Sequence, residues 1–194
     1  RMQYYIYSLV CFLLPGTVWL IWNKGMIADK AYKVRHIIWI YIYLFYGYLA
    51  VQEAAGIGTI WDLIAYGKLD NSINLIPFSS EGAMTYILNI IMFMPLGFLL
   101  PLIWKNFRNA KKVVLMGFLM SLAIEICQLF NIRTTDIDDL MMNTLGTLVG
   151  YCCWKVFSLI FRNAGTKCVE MKKSEPVIYM FGGILGLFLL YNWR

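Results

Sequence analysis

Apolar residues run along this chain in long stretches, broken by short links that hold most of its charge. Six stretches stand out: Tyr4 to Trp22, Ile37 to about Gln52, about Ala83 to Trp104, about Val113 to Phe130, about Asp136 to Phe161, and Val177 to Trp193. Each approaches the ~20 residues that a helix needs to cross ~30 Å of hydrocarbon. The first lacks a basic leader and a small-residue cleavage site and is followed by basic residues, which predicts a retained span rather than a signal peptide. Gly146 and Gly150 on the fifth run, and Gly182 and Gly186 on the sixth, have the GxxxG spacing that lets helix backbones approach closely. Pro95, in the middle of the third run, predicts a kink there. The piece from Ala54 to Gly82 does not span. Ile57, Ile60, Trp61 and Ile64 recur in it at helical spacing, which predicts a short amphipathic helix in the membrane interface. Pro77 then forbids a continuing helix and restricts Ile76 to extended geometry, while Ser79 or Ser80 can cap the next helix with Glu81 in its first turn.

Composition supports the same picture. The chain is 60% hydrophobic and 14% charged, with a mean hydropathy of +0.64; soluble domains run nearer 45–50% apolar and about 25% charged. The expected fold is an all-α, polytopic integral membrane helix bundle of about six transmembrane helices. Five cysteines show no metal-ligand or CxxC spacing, and four of them lie in apolar runs, so neither a disulfide framework nor a zinc site is expected. The net charge of +6 does not point to nucleic acid, because its placement follows the membrane. Of the 17 Lys and Arg, all but Arg1, Lys68, Arg133 and Arg194 fall in or beside alternate links. By the positive-inside rule those links are cytoplasmic, and both termini, the Asn74–Phe78 loop and the link after the fourth run face outward. Trp19, Trp22, Trp39, Trp104 and Trp154 would then mark the inner interface, with Trp61 and Trp193 at the outer one. His36, the single histidine, opens the second run at the basic boundary and is read as an interfacial side chain rather than a catalytic base.

One stretch breaks the apolar rule. Glu125, Gln128, Arg133, Asp136, Asp138, Asp139 and Asn143 crowd the junction of the fourth and fifth runs. Glu125 and Gln128 share a helix face at i, i+3; Asp136, Asp139 and Asn143 form one stripe of the next helix. Arg133 sits in the link between them, within reach of both stripes. Asp138 points off the stripe and reads as a residue that complements the helix dipole, and Asp136 can serve as the helix N-cap. Glu125 lies about five residues below the end of its run, roughly 7–8 Å deep at ~1.5 Å per residue. Ionisable groups at such depth are expensive and usually functional. Asn89, in the outer half of the third run, is a further polar candidate. These residues are expected to converge on one outward-facing polar cavity.

The same residues resemble the VanZ-like family of bacterial membrane proteins. The resemblance rests on Asn74-Leu-Ile-Pro-Phe78, on Asn89-x3-Phe93-x-Pro95-x-Gly97, on Glu125-x2-Gln128, and on Arg133-x2-Asp136-x2-Asp139-x3-Asn143-x2-Gly146. It divides the chain into two N-terminal helices (1–53), a VanZ-like core (54–161), and a basic link with the last helix (162–194). It implies a multi-pass protein of the bacterial cell membrane with a part in low-level resistance to teicoplanin, a lipid-tailed glycopeptide. Three readings of the site follow. In an enzyme acting on a lipid or lipid-linked headgroup at the outer leaflet, Glu125 would be the acid/base, Arg133 a clamp for phosphate or carboxylate, and Asp136 with Asp139 orienting groups or ligands for a hard cation. In a binding protein the same cluster recognises the headgroup of a lipid or lipoglycopeptide, with Asn74, Phe78, Asn89, Gln128 and Asn143 as contacts and Trp61 and Phe78 holding the apolar part. A proton-coupled transporter fits least, because the polar groups gather at one face rather than at the midplane. No Ser-His or Cys-His arrangement suggests a covalent intermediate, and no cofactor follows from the residues.

Overall fold

A computed structural model describes residues 2–26, 30–66, 73–78, 82–130, 135–161 and 171–192. Among these residues the protein is all-α apart from one two-residue ladder. In chain order the elements are α1 (Met2–Asn23), α2 (Lys30–Tyr48), α3 (Ile60–Tyr66), β1 (Ile73–Asn74), α4 (Ala83–Ile103), α5 (Ala110–Gln128), β2 (Thr135–Asp136), α6 (Ile137–Ile160) and α7 (Glu175–Leu190). Among the described residues three helical segments, Gln3–Met26, Lys30–Ala65 and Ala83–Ile103, are long and apolar enough to cross a membrane, and α7 is a shorter apolar helix. Apolar side chains exposed on the outside of the bundle, such as Ile42, Phe45, Ile87, Leu115 and Leu145, form the kind of surface that hydrocarbon covers.

Helix ends follow local chemistry. The Asn109 side chain accepts from Lys111 N at 2.9 Å and starts α5; Asp136 does the same for α6 by accepting from Asp138 N. Thr59 and Asp62 close the first turn of α3, the Asp62 carboxylate accepting from Thr59 N at 2.8 Å and from its hydroxyl at 3.0 Å. α4 starts after Gly82, which has extended geometry and makes no side-chain cap; Ser79, Ser80 and Glu81, the expected cap and first turn, lie outside the described residues. After Tyr48, α2 passes into a wider π-helical segment, Leu49–Ala55, which ends where Gly56 turns left-handed at φ 64°.

α4 and α6 form the most extensive helix pair, and α1 with α7 the next. Glycines allow both. A Cβ on Gly150 would stand 2.0 Å from Met94 O, and one on Gly146 2.3 Å from Ile90 O, so α6 lies directly on the α4 backbone. Gly97 returns the contact from α4, where a Cβ would meet Thr147 O at 1.9 Å. The α1–α7 pair differs from the expected spacing. A Cβ on Gly186 would meet Cys11 O at 2.3 Å, but Gly183, packed on the Phe12 ring, takes the second tight position, while a Cβ on Gly182 would have only an ordinary 3.4 Å neighbour in Pro15.

Opposite the α5–α6 junction, at the far ends of the helices, a buried polar knot replaces an expected interfacial residue. His36 is buried, not interfacial: its Nε2 lies 2.8 Å from Glu175 Oε1. Glu175 also accepts from Trp104 Nε1 at 3.1 Å, Met171 N at 3.0 Å and Tyr179 OH at 3.2 Å. Trp104 and Trp154 are likewise core residues, whereas Trp22 is exposed as an interfacial tryptophan would be. Trp104 is buried because it serves the knot; the expected belt reading had no sight of Glu175 as a partner.

Candidate functional site

The α5–α6 hairpin is joined at its polar end by three short contacts. Asp136 N donates to Glu125 Oε2 at 3.2 Å, and the Thr135 hydroxyl donates to Glu125 O at 3.4 Å. Further along, Asn143 Nδ2 donates to Ser121 Oγ at 2.9 Å. The β1–β2 ladder, with Ile73 opposite Thr135 and Asn74 opposite Asp136, brings the Asn74–Phe78 loop onto this end. There Asn74 Nδ2 donates to Asp136 Oδ2 at 3.0 Å, and Phe78 N donates to both oxygens of Asp138 at 2.8 and 3.0 Å. The Tyr86 hydroxyl adds a second donor to Asp138 at 2.9 Å. Phe78 holds φ 61°, a strained value for a bulky residue, and the Asp138 carboxylate is what stabilises it there.

Behind this loop lies a cavity of about 720 Å³. Its polar end holds Glu125, Gln128, Asn89, Asp139 and Asn143; its apolar wall includes Leu49, Ile91, Pro95 and Ile124. Thus five of the residues that the sequence marked share one space, set there by the i, i+3 spacing on α5 and the i, i+4 spacing on α6, with Asn89 facing them from α4. Glu125, Gln128 and Asn143 are 4%, 5% and 2% exposed. Asn89 Nδ2 donates to Asp139 Oδ1, tying α4 to α6, and Gln128 Nε2 donates to Ala55 O at 3.1 Å, tying α5 to the π-helical segment. Gln128 Oε1 and Asn143 Oδ1 are buried and have no hydrogen-bond partner among the described residues.

The other marked residues lie elsewhere. Asp136 caps α6 and joins Asn74 to Glu125 rather than lining the cavity. Asn74 turns its carbonyl oxygen to Ile76 N at 3.2 Å and its amide to Asp136, and Phe78 is 64% exposed with its ring edge-on to Tyr86; both border the site without lining it. Asp138, expected to be structural, is fully buried and anchors the loop. Arg133 lies outside the described residues. Among the described residues no cluster of three His, Cys, Asp or Glu side chains is placed to hold a metal ion.

The end of α2 contributes a wall that the sequence reading did not foresee: Tyr46, Leu49, Ala50, Ala54 and Ala55 all line the cavity. The one signal was the small-residue run Ala54-Ala55-Gly56, which permits the backbone to come within hydrogen-bond reach of Gln128. The apolar run alone offered no reason to connect it with a motif some seventy residues later, a separation of 73 residues for the Gln128–Ala55 contact.

Comparison with known proteins identifies the family. A family model described as VanZ/LLP1 matches residues 6–158, which takes in α1 and α2 as well as the α4–α6 core. The chain is similar to Protein VanZ of Enterococcus faecium, 34% identical over 134 residues that cover 68% of this chain and 77% of that protein. No solved structure matches the chain.

Proposed function

The chain belongs to the VanZ/LLP1 family, and we propose that it takes part in low-level resistance to teicoplanin-like lipoglycopeptides by engaging a lipid or lipid-linked headgroup in the cavity between α2, α4, α5 and α6. The observation that carries this reading is the cavity itself. It sets a buried carboxyl, Glu125, and the polar side chains of Gln128, Asp139, Asn143 and Asn89 at one end of a wall of Leu49, Ile91, Pro95 and Ile124. A molecule with a polar head and an apolar tail matches that division. The distribution of basic residues supports a six-span topology with the polar end of the cavity at the outer leaflet, where such headgroups and the glycopeptide meet.

Glu125 separates a catalytic version of this function from a binding one. As an acid/base it would exchange a proton with a headgroup oxygen, and Gln could not replace it. As a hydrogen-bond partner it would be replaced by Gln with little loss. Comparing Glu125→Gln and Glu125→Ala for glycopeptide susceptibility, at matched membrane expression, decides between them. Loss in both variants supports chemistry and loss in Ala alone supports binding. Full phenotype in both makes Glu125 structural and removes the cavity from the function.

A further inference from the structure

The hydrogen-bond inventory of the cavity bears on what kind of headgroup it accepts, given that the cavity is a lipid-headgroup site. Several of the N–H and O–H groups around it are already committed within the protein. Gln128 Nε2 donates to Ala55 O at 3.1 Å, Asn143 Nδ2 to Ser121 Oγ at 2.9 Å, and the Tyr46 hydroxyl to Met92 O at 3.0 Å. Asn89 Nδ2 donates to Asp139 and Asp136 N to Glu125. Left over are two amide oxygens, Gln128 Oε1 and Asn143 Oδ1, on cavity-lining side chains that are nine-tenths buried and more. A buried acceptor with no donor is unfavourable, and the Gln128 orientation is held by a carbonyl that only its N–H can satisfy. What the polar end leaves unmatched is two hydrogen-bond acceptors.

This separates headgroup classes. A phosphate brings acceptors only, so it leaves both amide oxygens without a donor. A primary ammonium brings donors, but the two oxygens left without a partner are neutral amides that do little to offset its desolvation. Hydroxyls bring donors without charge. The flank of the cavity settles the rest of the molecule: Leu49, Leu88 and Ile91 line it and are also exposed on the outside of the bundle, so the apolar wall continues onto the surface that acyl chains cover. We propose that the cavity binds a lipid with a neutral, polyhydroxylated headgroup, of the glycosyl diacylglycerol class, whose hydroxyls donate to Gln128 Oε1 and Asn143 Oδ1.

The test uses the full chain in phosphatidylcholine nanodiscs carrying equal trace amounts of glucosyl diacylglycerol, phosphatidic acid and a diacyl lipid ending in a primary ammonium. Lipids retained on the released protein are identified by native mass spectrometry. The expected result is enrichment of the glucosyl lipid at least tenfold over the other two. Its retention is expected to fall to the phosphatidylcholine background when Gln128→Met and Asn143→Leu are combined. Equal or greater retention of phosphatidic acid or of the ammonium lipid overturns the headgroup assignment and leaves the lipid-site reading standing. Retention of none of the three above phosphatidylcholine overturns both. A double variant that melts like the native protein and still retains the glucosyl lipid also overturns the assignment. If that variant does not fold, the ranking of the three lipids on the native chain decides alone.

Discussion

Asp138 and Glu125 show how differently two buried carboxyls of one hairpin can be used. Asp138 has no access to the cavity and accepts from Phe78 N and the Tyr86 hydroxyl. Hydrogen bonds to a charged group contribute about 1.5–3 kcal/mol each at most sites, and Phe78 relies on them to hold a left-handed backbone. Asp138→Ala is therefore expected to lower the melting temperature in detergent by several degrees, at about 2–4 °C per kcal/mol, and to speed proteolysis between residues 74 and 78. An unchanged melting temperature together with an unchanged cleavage rate would remove the anchoring role. Glu125 lines the cavity, and among the described residues its side chain accepts one hydrogen bond, from the N–H of Asp136. Its truncation to Ala is expected to leave the melting temperature within a few degrees of native while reducing glycopeptide resistance. A variant that loses stability and phenotype in proportion would place Glu125 with Asp138 among the structural residues.

Helix pairing makes a sharper set of predictions than any motif. Gly150 and Gly97 sit where the opposing backbone leaves no room for a methyl group, with Met94 O and Thr147 O about van der Waals overlap away. Gly182 has the same motif spacing but an open environment, its nearest neighbour 3.4 Å from the added Cβ. Gly150→Ala is expected to separate α4 from α6, dismantle the cavity and yield little monodisperse protein, whereas Gly182→Ala is expected to behave like the native chain on size-exclusion chromatography. Equal behaviour of the two variants would show that the α4–α6 approach is looser than described. The π-helical segment matters at this scale too, because its wider turn carries Ala54 and Ala55 to the cavity and offers the Ala55 carbonyl to Gln128.

Across the whole molecule two polar centres sit at opposite ends of the bundle. The cavity is flanked by the start of α4, the end of α5 and the start of α6; the Glu175 knot joins the start of α2, the end of α4 and the start of α7. Removing one partner of a buried pair costs about 3–5 kcal/mol, since the other groups keep their desolvation and lose their bonds. Glu175→Ala is expected to destabilise the protein by that order, with resistance falling only as far as the amount of folded protein falls. Resistance lost at full folded abundance would mean that the two centres are coupled. The proposed six-span arrangement would place Cys168 inside. In a variant keeping Cys168 alone among the cysteines, an impermeant thiol reagent is expected not to label intact cells, and labelling would reverse the orientation.

The sequence by itself determined the membrane character, the positions of the main helices to within a few residues at most ends, and the residues that crowd one junction. Those features are local or periodic: run length, helical phase and capping chemistry act over a few residues and need no knowledge of the fold. It also carried the family, because the spacing of Glu125, Gln128, Asp139 and Asn143 is itself a consequence of helix geometry. What only the tertiary structure decided is the division of labour among those residues. Asp136 and Asp138 are as acidic as Asp139 and stand beside it, yet one caps and bridges, one anchors a loop and one lines the cavity. His36 became a core residue only because Glu175, 139 positions away, was brought to it. The cavity wall from α2 and the choice of Gly183 over Gly182 follow from the same cause. Partners distant in sequence leave no periodic trace in either segment, and packing alone selects them.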